Sequence, residues 1–566
     1  MAYQAPIAEI KFVLETIARF SLVRGAQPGS DLSEETTEAV LTEAGRLCEE
    51  QIAPLQRSGD MQGAVLKNGR VRSPDGFAEA YSSLVEGGWI GISADESFGG
   101  MGLPHAYQVG VHEMMAGACL SFEVQPLLSQ SAIDAIQAHA SEAIRQTYLP
   151  KLVSGVWSGT MNLTEPQAGS DVGALRTKAE PQGNGTYKIT GQKIYISWGD
   201  CDFTENVCHL VLARTPGAPE GTRGISLFLV PRQIPDADGR AGVANDLRVQ
   251  SLEHKLGLHA SPTCVMQYEG ATGWLIGEEN AGLAAMFTMM NRARLGVAVQ
   301  GIGTAEAAYQ QATHYAMDRV QGKTRGPTGS IVDHADVRRM LAEMRAEIHA
   351  ARGIALSCAV AIDLEAQPGW EARAALLTPI AKAFGTDIGV DVASLGIQVH
   401  GGMGFVEETG AAQYLRDARV LTIYEGTNGI QAMDLVTRKM SDGGEEAFKL
   451  IDEIEQAAED ARAALPDLAN ALWSAAEGLR EATETIVARS VSDRLPASAA
   501  YLRAFARVLG GHVHLLSAIA EGGEGPRTRL ARFYMARLLP ESGGLFAQVA
   551  ADPSSVLDVT PDDLAA

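Results

Sequence analysis

The spacing of hydrophobic positions changes character three times along the chain. From about residue 8 to 158 it is helical, as in Val40, Leu41, Ala44, Leu47 and Cys48, or Ala132, Ile133, Ile136 and Ala138. Recurrence every three or four residues puts an apolar stripe on a helix, and Gly87-Gly88 and Phe98-Gly99-Gly100-Met101-Gly102 break one helix from the next. Between about 159 and 278 the rhythm shortens. Tyr187-Lys188-Ile189-Thr190, His209-Leu210-Val211-Leu212-Ala213 and Ile225-Ser226-Leu227-Phe228-Leu229-Val230 are bounded by glycine, proline and asparagine and predict strands. No helical stretch of useful length separates them, so antiparallel pairing is expected rather than βαβ units. From Ala281 to about Met440 helical spacing returns, with Ala305, Ala308, Ala312, Tyr315 and Ala316, then Met340, Leu341, Met344, Ile348 and Ala351. Beyond Ser441-Asp442-Gly443-Gly444, further helices rich in Ala, Leu and Glu are punctuated by Pro466, Pro496 and Pro540.

The predicted chain is therefore a multidomain α+β protein. A helical domain with a short N-terminal extension covers 1–158, an antiparallel β domain 159–278, a second helical domain 279–440 and an appended helical domain 445–566. No fixed-period repeat or low-complexity tract argues for a solenoid or a disordered tail.

Composition narrows the partners. With 69 acidic against 46 basic residues the net charge is −23, which argues against nucleic acid or an anionic membrane, so any polyanionic ligand must meet a local basic pocket. The most apolar stretch, Leu376 to Gly402, is interrupted by Lys382, Asp387 and Asp391, so no membrane span is expected. Cys48, Cys119, Cys201, Cys208, Cys264 and Cys358 are scattered without a C-x-x-C pair and read as reduced structural thiols. The first residues lack the basic and apolar regions of a secretory signal, and Glu9 and Glu15 argue against a transit peptide. A cytoplasmic protein is the expectation.

One carboxylate stands out. In Leu421-Thr422-Ile423-Tyr424-Glu425-Gly426-Thr427-Asn428-Gly429, a glutamate follows an apolar run and precedes a glycine. Leu421, Ile423 and Tyr424 are expected to strip its hydration, raise its pKa and strengthen it as a base. The segment resembles the catalytic loop of the acyl-CoA dehydrogenase family. That resemblance implies that Glu425 takes the α-proton of an acyl-CoA thioester while the β-hydrogen leaves as hydride to FAD. It covers roughly residues 30 to 440 and is carried by several separate motifs.

Tyr148-Leu149-Pro150-Lys151-Leu152 and Leu163-Thr164-Glu165-Pro166-Gln167-Ala168-Gly169-Ser170-Asp171 are similar to the family's entry into the β domain. Alone, that loop would be an ordinary polar turn. The resemblance places Leu163 and Thr164 at the isoalloxazine edge, has Gly169 permit close approach, and gives Ser170 to the FAD pyrophosphate or the substrate's pantetheine arm. In Gly191-Gln192-Lys193-Ile194-Tyr195-Ile196-Ser197-Trp198, it makes Tyr195 the ring over the flavin and Ser197 the hydroxyl bonded to it. Alternation along a strand gives those two a shared face and turns Trp198 away. Thr427 and Gly429 are assigned to the flavin on the same ground.

In Asn291-Arg292-Ala293-Arg294-Leu295, Arg294 is similar to the arginine lining the acyl-CoA channel; without the flanking motifs it would read as a surface ion pair. Some relatives carry the catalytic glutamate at the position of Ala293, which leaves Glu425 for that role. The substrate contacts implied are Ser170, Arg294, Tyr424, Glu425 and Gly426. Arg319, and Gln398 through Gly402 in Gln398-Val399-His400-Gly401-Gly402-Met403-Gly404-Phe405, resemble residues that reach a neighbouring subunit's FAD, which implies a homodimer. Arg319-Val320-Gln321-Gly322 is one residue shorter than the family's R-x-x-F-G turn. His400, His512 and His514 suggest no metal site, since His400 lies in a motif that binds none and residues two apart on a helix do not face each other. No Rossmann fingerprint is present, so FAD is expected between the β domain and the second helical domain.

The family resemblance implies a dehydrogenase that passes electrons to an electron-transfer flavoprotein. The C-terminal extension, with Tyr3-Gln4-Ala5-Pro6-Ile7-Ala8-Glu9-Ile10 and His254-Lys255-Leu256-Gly257-Leu258-His259, is similar to the branch acting on 3-methylmercaptopropionyl-CoA and related short or medium acyl groups. An oxygen-using acyl-CoA oxidase, a long-chain or arylpropionyl-CoA dehydrogenase and a catalytically silent scaffold of the same fold stay open at this point.

Overall fold

The computed structural model describes residues 3–565 apart from Pro28; Met1, Ala2, Pro28 and Ala566 lie outside the described residues. Helices α1 (Ile7–Phe12), α2 (Ser21–Ala26), α3 (Glu34–Leu47), α4 (Leu55–Gln62), α5 (Phe77–Glu86), α6 (His105–His139) and α7 (Glu142–Val153) form the first layer. In α3 the apolar positions Leu41 and Ala44 are buried, and Ser33 caps the first turn by accepting the Thr36 N–H at 3.1 Å. α6 bends at Cys119, whose φ of −158° and ψ of 100° are extended, so its second half runs in a new direction past Pro126.

A small hairpin, β1 (Val65–Lys67) and β2 (Arg70–Arg72), interrupts these helices. Its turn residues Asn68 and Gly69 are both left-handed, with φ of 52° and 72°, the requirement of a two-residue Asn-Gly hairpin turn. Helical spacing gave no sign of it, although the Asn-Gly pair did.

The β domain contains β3 (Trp157–Asn162), β4 (Lys178–Pro181), β5 (Tyr187–Ser197), β6 (Asn206–Ala213), β7 (Ser226–Pro231), β8 (Gln233–Pro235), β9 (Ala241–Ala244), β10 (Leu247–Leu252) and β11 (Thr263–Ile276). The main sheet runs β3-β6-β7-β11-β5-β4, with β10 also paired to β11. Every residue of β6 and β7 is buried, as expected of continuous apolar runs, whereas β11 alternates. The expectation of purely antiparallel pairing needs one correction. β3 pairs parallel with β6, from Trp157↔Asn206 to Asn162↔Val211, because β4 and β5 intervene and return the chain to the same edge in the same direction. The sheet also begins at Trp157, two residues before the boundary read from spacing.

Helices α8 (Gly282–Asp318), α9 (Ala335–Asp363), α10 (Trp370–His400), α11 (Ala411–Ala418) and α12 (Asn428–Thr437) follow. α8 sits against α10 and α6 with almost no spacing. A Cβ at Gly301 would lie 2.2 Å from the Gly385 carbonyl oxygen, and one at Gly303 would lie 2.3 Å from that of Glu113. Glycine is what lets these backbones touch.

The appended region supplies α13 (Glu445–Ala461), α14 (Pro466–Ala488), α15 (Val491–Arg494), α16 (Ser498–Ala520), α17 (Pro526–Arg537) and α18 (Glu541–Ala550). It docks on α9 through buried polar contacts, including Arg507 with Glu347 at 2.6 Å and the Nε2 of His514 with the Ala346 carbonyl at 3.1 Å. The last pair accounts for His514 as a packing residue. No helix among the described residues is long and apolar enough to cross a membrane.

Candidate active site

Glu425 lies in the loop between α11 and α12, and the loop is fastened from both sides. Lys382, fully buried on α10, donates from Nζ to the Leu421 carbonyl and to Asn428 Oδ1, both at 2.9 Å. Asn428 donates in turn to Asp387 Oδ1 at 2.6 Å and to Thr386 Oγ1 at 3.0 Å. On the far side, Gln431 Nε2 donates to the carbonyls of Glu425 and Gly426, both at 3.2 Å. Thr427 caps α12 by accepting the Ile430 N–H at 3.2 Å. This fastening holds a strained backbone: Glu425 has φ of 55° and Gly426 φ of 82°. A non-glycine residue in the left-handed region costs on the order of 1–3 kcal/mol, which persists only where the surroundings over-determine it. Among the described residues the Glu425 N–H donates no hydrogen bond, so the twist leaves a donor pointing at nothing in the protein.

Burial pushes the Glu425 carboxyl up to about 7, and the cations of Arg294 and Lys382 pull in the opposite direction. Desolvation likewise lowers Lys382 to about 8. The expected cover is only partly right. Leu421 is fully buried and Tyr424 partly so, but Ile423 is about half exposed, because the turn points it outward.

Arg294 is buried on α8, within 3.8 Å of Asp434 and 3.4 Å of Asn291 Oδ1, and is not a surface ion pair. A Cβ on Gly426 would lie 3.8 Å from its Nη2, so Arg294 abuts the Glu425 loop. Its Nε and the Gln431 Oε1 are buried without partners, and such orphaned polar atoms flanking Gly426 suit a polar ligand.

Leu163, Thr164, Tyr195 and Ser197 come together through two contacts. The Ile194 N–H donates to the Thr164 carbonyl at 3.0 Å, and Lys193 Nζ to the Leu163 carbonyl at 2.9 Å. Lys193 also pairs with Glu165 at 2.8 Å, a fully buried contact that spacing did not reveal. A β-bulge sets Ile194 and Tyr195 opposite one residue of β11, between the pairs Lys193↔Met266 and Ile196↔Cys264. Lys193 and Ile196 face inward, while Tyr195, left-handed at φ of 59°, is 62% exposed. Tyr195 and Ser197 share a side by alternation about the buried Ile196, and the bulge is what turns that shared side outward. Trp198 is buried against Phe77 and Phe203.

Gly169 and Ser170 are exposed, and a Cβ on Gly169 would meet nothing within 4 Å. An open shelf at Gly169 and, on β5, an exposed aromatic ring at Tyr195 are features that suit an isoalloxazine. Gly429 is exposed in the first turn of α12.

Arg319, Gln398 and Gly402 are not brought to Glu425. They lie at the exposed ends of α8 and α10, joined by the stacking of Tyr315 on His400 at 4.4 Å. Val320, Met403 and Phe405 are exposed around them, Phe405 at 89%, and Gly402 has open space where a Cβ would stand. Among the described residues no group of three or more His, Cys, Asp or Glu could hold a metal ion.

Comparison with known proteins agrees with this layout. Residues 34–156 match the N-terminal domain of acyl-CoA dehydrogenases, 160–271 the middle domain and 280–440 the C-terminal domain, while 450–560 match a domain described as acetyl-CoA dehydrogenase C-terminal like. The chain is similar to the 3-methylmercaptopropionyl-CoA dehydrogenase of Ruegeria pomeroyi, with 48% identity over 465 residues covering 80% of this chain and 79% of that protein. Caenorhabditis elegans ACDH-11, solved in complex with C11-CoA, shares the fold across 94% of this chain and 91% of its own, with a TM-score of 0.77 at 20% identity. A chain from a structure titled for the electron transferring flavoprotein of Acidaminococcus fermentans matches 73% of this chain and 99% of its own, with a TM-score of 0.62 at 26% identity. Since three consecutive family domains cover residues 34–440 in order, and a relative nearly half identical aligns over most of both chains, this protein belongs to the acyl-CoA dehydrogenase family.

Proposed function

We propose that this acyl-CoA dehydrogenase converts 3-methylmercaptopropionyl-CoA, or an acyl-CoA of similar length, to its trans-2-enoyl thioester with Glu425 as the base. The observation that carries the reading is the pairing, on one residue, of a desolvated carboxyl raised to about 7 with an N–H that nothing among the described residues accepts. A carboxylate of that strength takes the weakly acidic α-proton. The Glu425 N–H donates to the thioester oxygen as negative charge develops there, a contribution of roughly 3–4 kcal/mol per well-placed donor. Arg294 and Lys382 favour the ionised form of the base against its burial, and Lys382, Gln431 and Thr427 keep both groups aimed.

FAD, the cofactor of this family, supplies the hydride acceptor for the β-hydrogen when bound. Leu163, Thr164, Gly169, Ser170, Tyr195, Ser197, Thr427 and Gly429 would hold it, with Ser170, Arg294, Tyr424 and Gly426 facing the substrate. Electrons would leave to an electron-transfer flavoprotein, in line with the solved structure titled for that partner. Reoxidation by electron-transfer flavoprotein should far outpace reoxidation by air; the reverse would make the protein an oxidase. The six cysteines are all buried and unpaired, which supports a reducing, cytoplasmic setting.

Because Glu425 must be ionised to act, kcat/KM is expected to rise with pH through a limb near 7 and to fall below it. Lys382→Met removes a cation that favours the carboxylate, so the limb should move to higher pH in a pH–rate profile. A limb that stayed in place would mean Lys382 does not act on the base.

Arg319, Gln398 and Gly402 lie away from Glu425 and are surrounded by exposed apolar side chains, which supports a homodimer in which they serve the neighbour's FAD. Light scattering should report a dimer. A monomer that retained FAD on dilution would remove the shared-site reading.

A further inference from the structure

We propose that the cleft between α9 and α17 binds an organic polyphosphate, of the kind a nucleotide or coenzyme A carries, at a site separate from Glu425. The cleft has a volume of about 1090 Å³ and is walled by one face of each helix together with Glu9 and Glu306. None of its lining residues belongs to the Glu425 loop or to the residues named above for flavin and acyl-CoA. Seven arginines and four carboxylates line it, in a chain whose acidic residues outnumber its basic ones by 69 to 46.

The four carboxylates are already engaged. Arg352, buried at the inner end, pairs with Glu113 at 2.6 Å and with Glu306 at 2.8 Å. Glu9 holds two guanidinium groups, Arg527 at 2.7 Å and Arg345 at 3.3 Å. Asp336 pairs with Arg339 at 2.9 Å, and Glu521 accepts the N–H groups of Arg527 and Thr528 at 3.2 and 2.8 Å. Arg529 and Arg537 are exposed and make no ion pair among the described residues. They stand eight residues apart on α17 with Phe533 midway, so the three share a face.

The opening is not a product of loose docking. Next to the cleft the same helices touch: a Cβ at Gly353 would lie 2.5 Å from Val513, and one at Gly510 would lie 2.2 Å from the Tyr534 hydroxyl. The arginines are also held in place, Arg527 over the Phe12 ring at 3.7 Å and Arg345 over Tyr309 at 5.8 Å. Charge of one sign gathered between low-dielectric walls concentrates anions, and the guanidinium fork matches phosphate. Arginines on facing helices suit an anion with more than one charged group. The volume and the apolar wall of Ile348, Leu530 and Phe533 call for an organic portion that a bare phosphate lacks. A phosphate chain attached to an aromatic base meets both demands, with Phe533 available to the base.

The test is calorimetric titration of the purified, flavin-loaded protein with ATP, with coenzyme A and with pyrophosphate. ATP or coenzyme A should occupy the cleft at one per chain and raise the Tm, since the bound ligand joins α17 to α9. Arg529→Gln with Arg537→Gln should weaken that binding about tenfold or more, with the flavin spectrum and kcat/KM for acyl-CoA unchanged. Arg338→Gln, on the α9 wall, should weaken it in the same direction. Coenzyme A also enters the acyl site, so its cleft component is the part that the double variant loses. Loss of ATP binding alone assigns the cleft to nucleotides, loss of a coenzyme A component alone assigns it to coenzyme A, and loss of both assigns it to the moiety they share. No cleft binding by either at about 1 mM, affinities unchanged in the variants, or pyrophosphate bound as tightly as ATP and coenzyme A would overturn the proposal.

Discussion

Glu425→Gln is expected to leave the protein folded, yellow and able to bind acyl-CoA, while turnover falls by about 10³-fold or more. Loss of a general base costs on the order of 10²–10⁴ in rate, and the upper part of that range applies where no neighbouring carboxylate can stand in. None is placed to do so. Position 293 is alanine, and Asp434 is engaged by Arg294 at 3.8 Å and by Arg438 at 2.5 Å. Asp387 accepts from Asn428 at 2.6 Å as part of the loop's fastening. The amide introduced by Glu425→Gln would preserve the size of the side chain, the left-handed turn and the backbone N–H, so binding and chemistry should separate. The residual rate should also lose the acidic limb near pH 7, because the titrating group is gone. A variant with lowered rate but an unchanged pH profile would place the essential base elsewhere.

Gly426→Val should be the next most damaging change, costing about 10²-fold in kcat or more with the flavin retained. The reason is backbone geometry. Gly426 has φ of 82°, a region closed to a β-branched residue, and its new Cβ would lie 2.9 Å from Gln431 Nε2, the group that holds the Glu425 and Gly426 carbonyls. Relieving either conflict rotates the peptide that presents the Glu425 N–H, and loss of one such donor costs about a hundredfold or more. A flavin spectrum like that of the parent, with kcat reduced and KM little changed, is the expected signature. Normal turnover in Gly426→Val would show that the left-handed turn does not matter to the reaction.

What could be read from sequence, and what could not, follows the range of the physics involved. Glu425 was legible because its apolar run and trailing glycine are contiguous, and desolvation is a local effect. That Tyr195 and Ser197 share a side was legible by alternation, but which side they face is set by a bulge visible only in the pairing with β11. In the sequence Lys382 reads only as a charge that breaks an apolar stretch. Its role as an anchor of the Glu425 loop spans 39 residues and needed the placement of α10. The arginine-lined cleft between α9 and α17 left no trace in local spacing, since a space between two helices has no sequence period. The parallel β3–β6 pair was missed for the same reason: the connection that produces it is two strands, not the helix that usually marks a parallel crossover. The Asn68-Gly69 hairpin had a signal, and the helical pattern around it hid it.

The account stands or falls on whether this protein couples α-proton removal to flavin reduction. The most direct measurement is anaerobic addition of 3-methylmercaptopropionyl-CoA to the purified yellow protein, following the flavin absorbance and the thioester product together. The account predicts that the flavin bleaches as one equivalent of 2-enoyl thioester forms per flavin, and that Glu425→Gln stays yellow over the same interval. A flavin that bleached at the parent's rate in Glu425→Gln, or a parent protein that stayed yellow with every acyl-CoA from short to long, would contradict it.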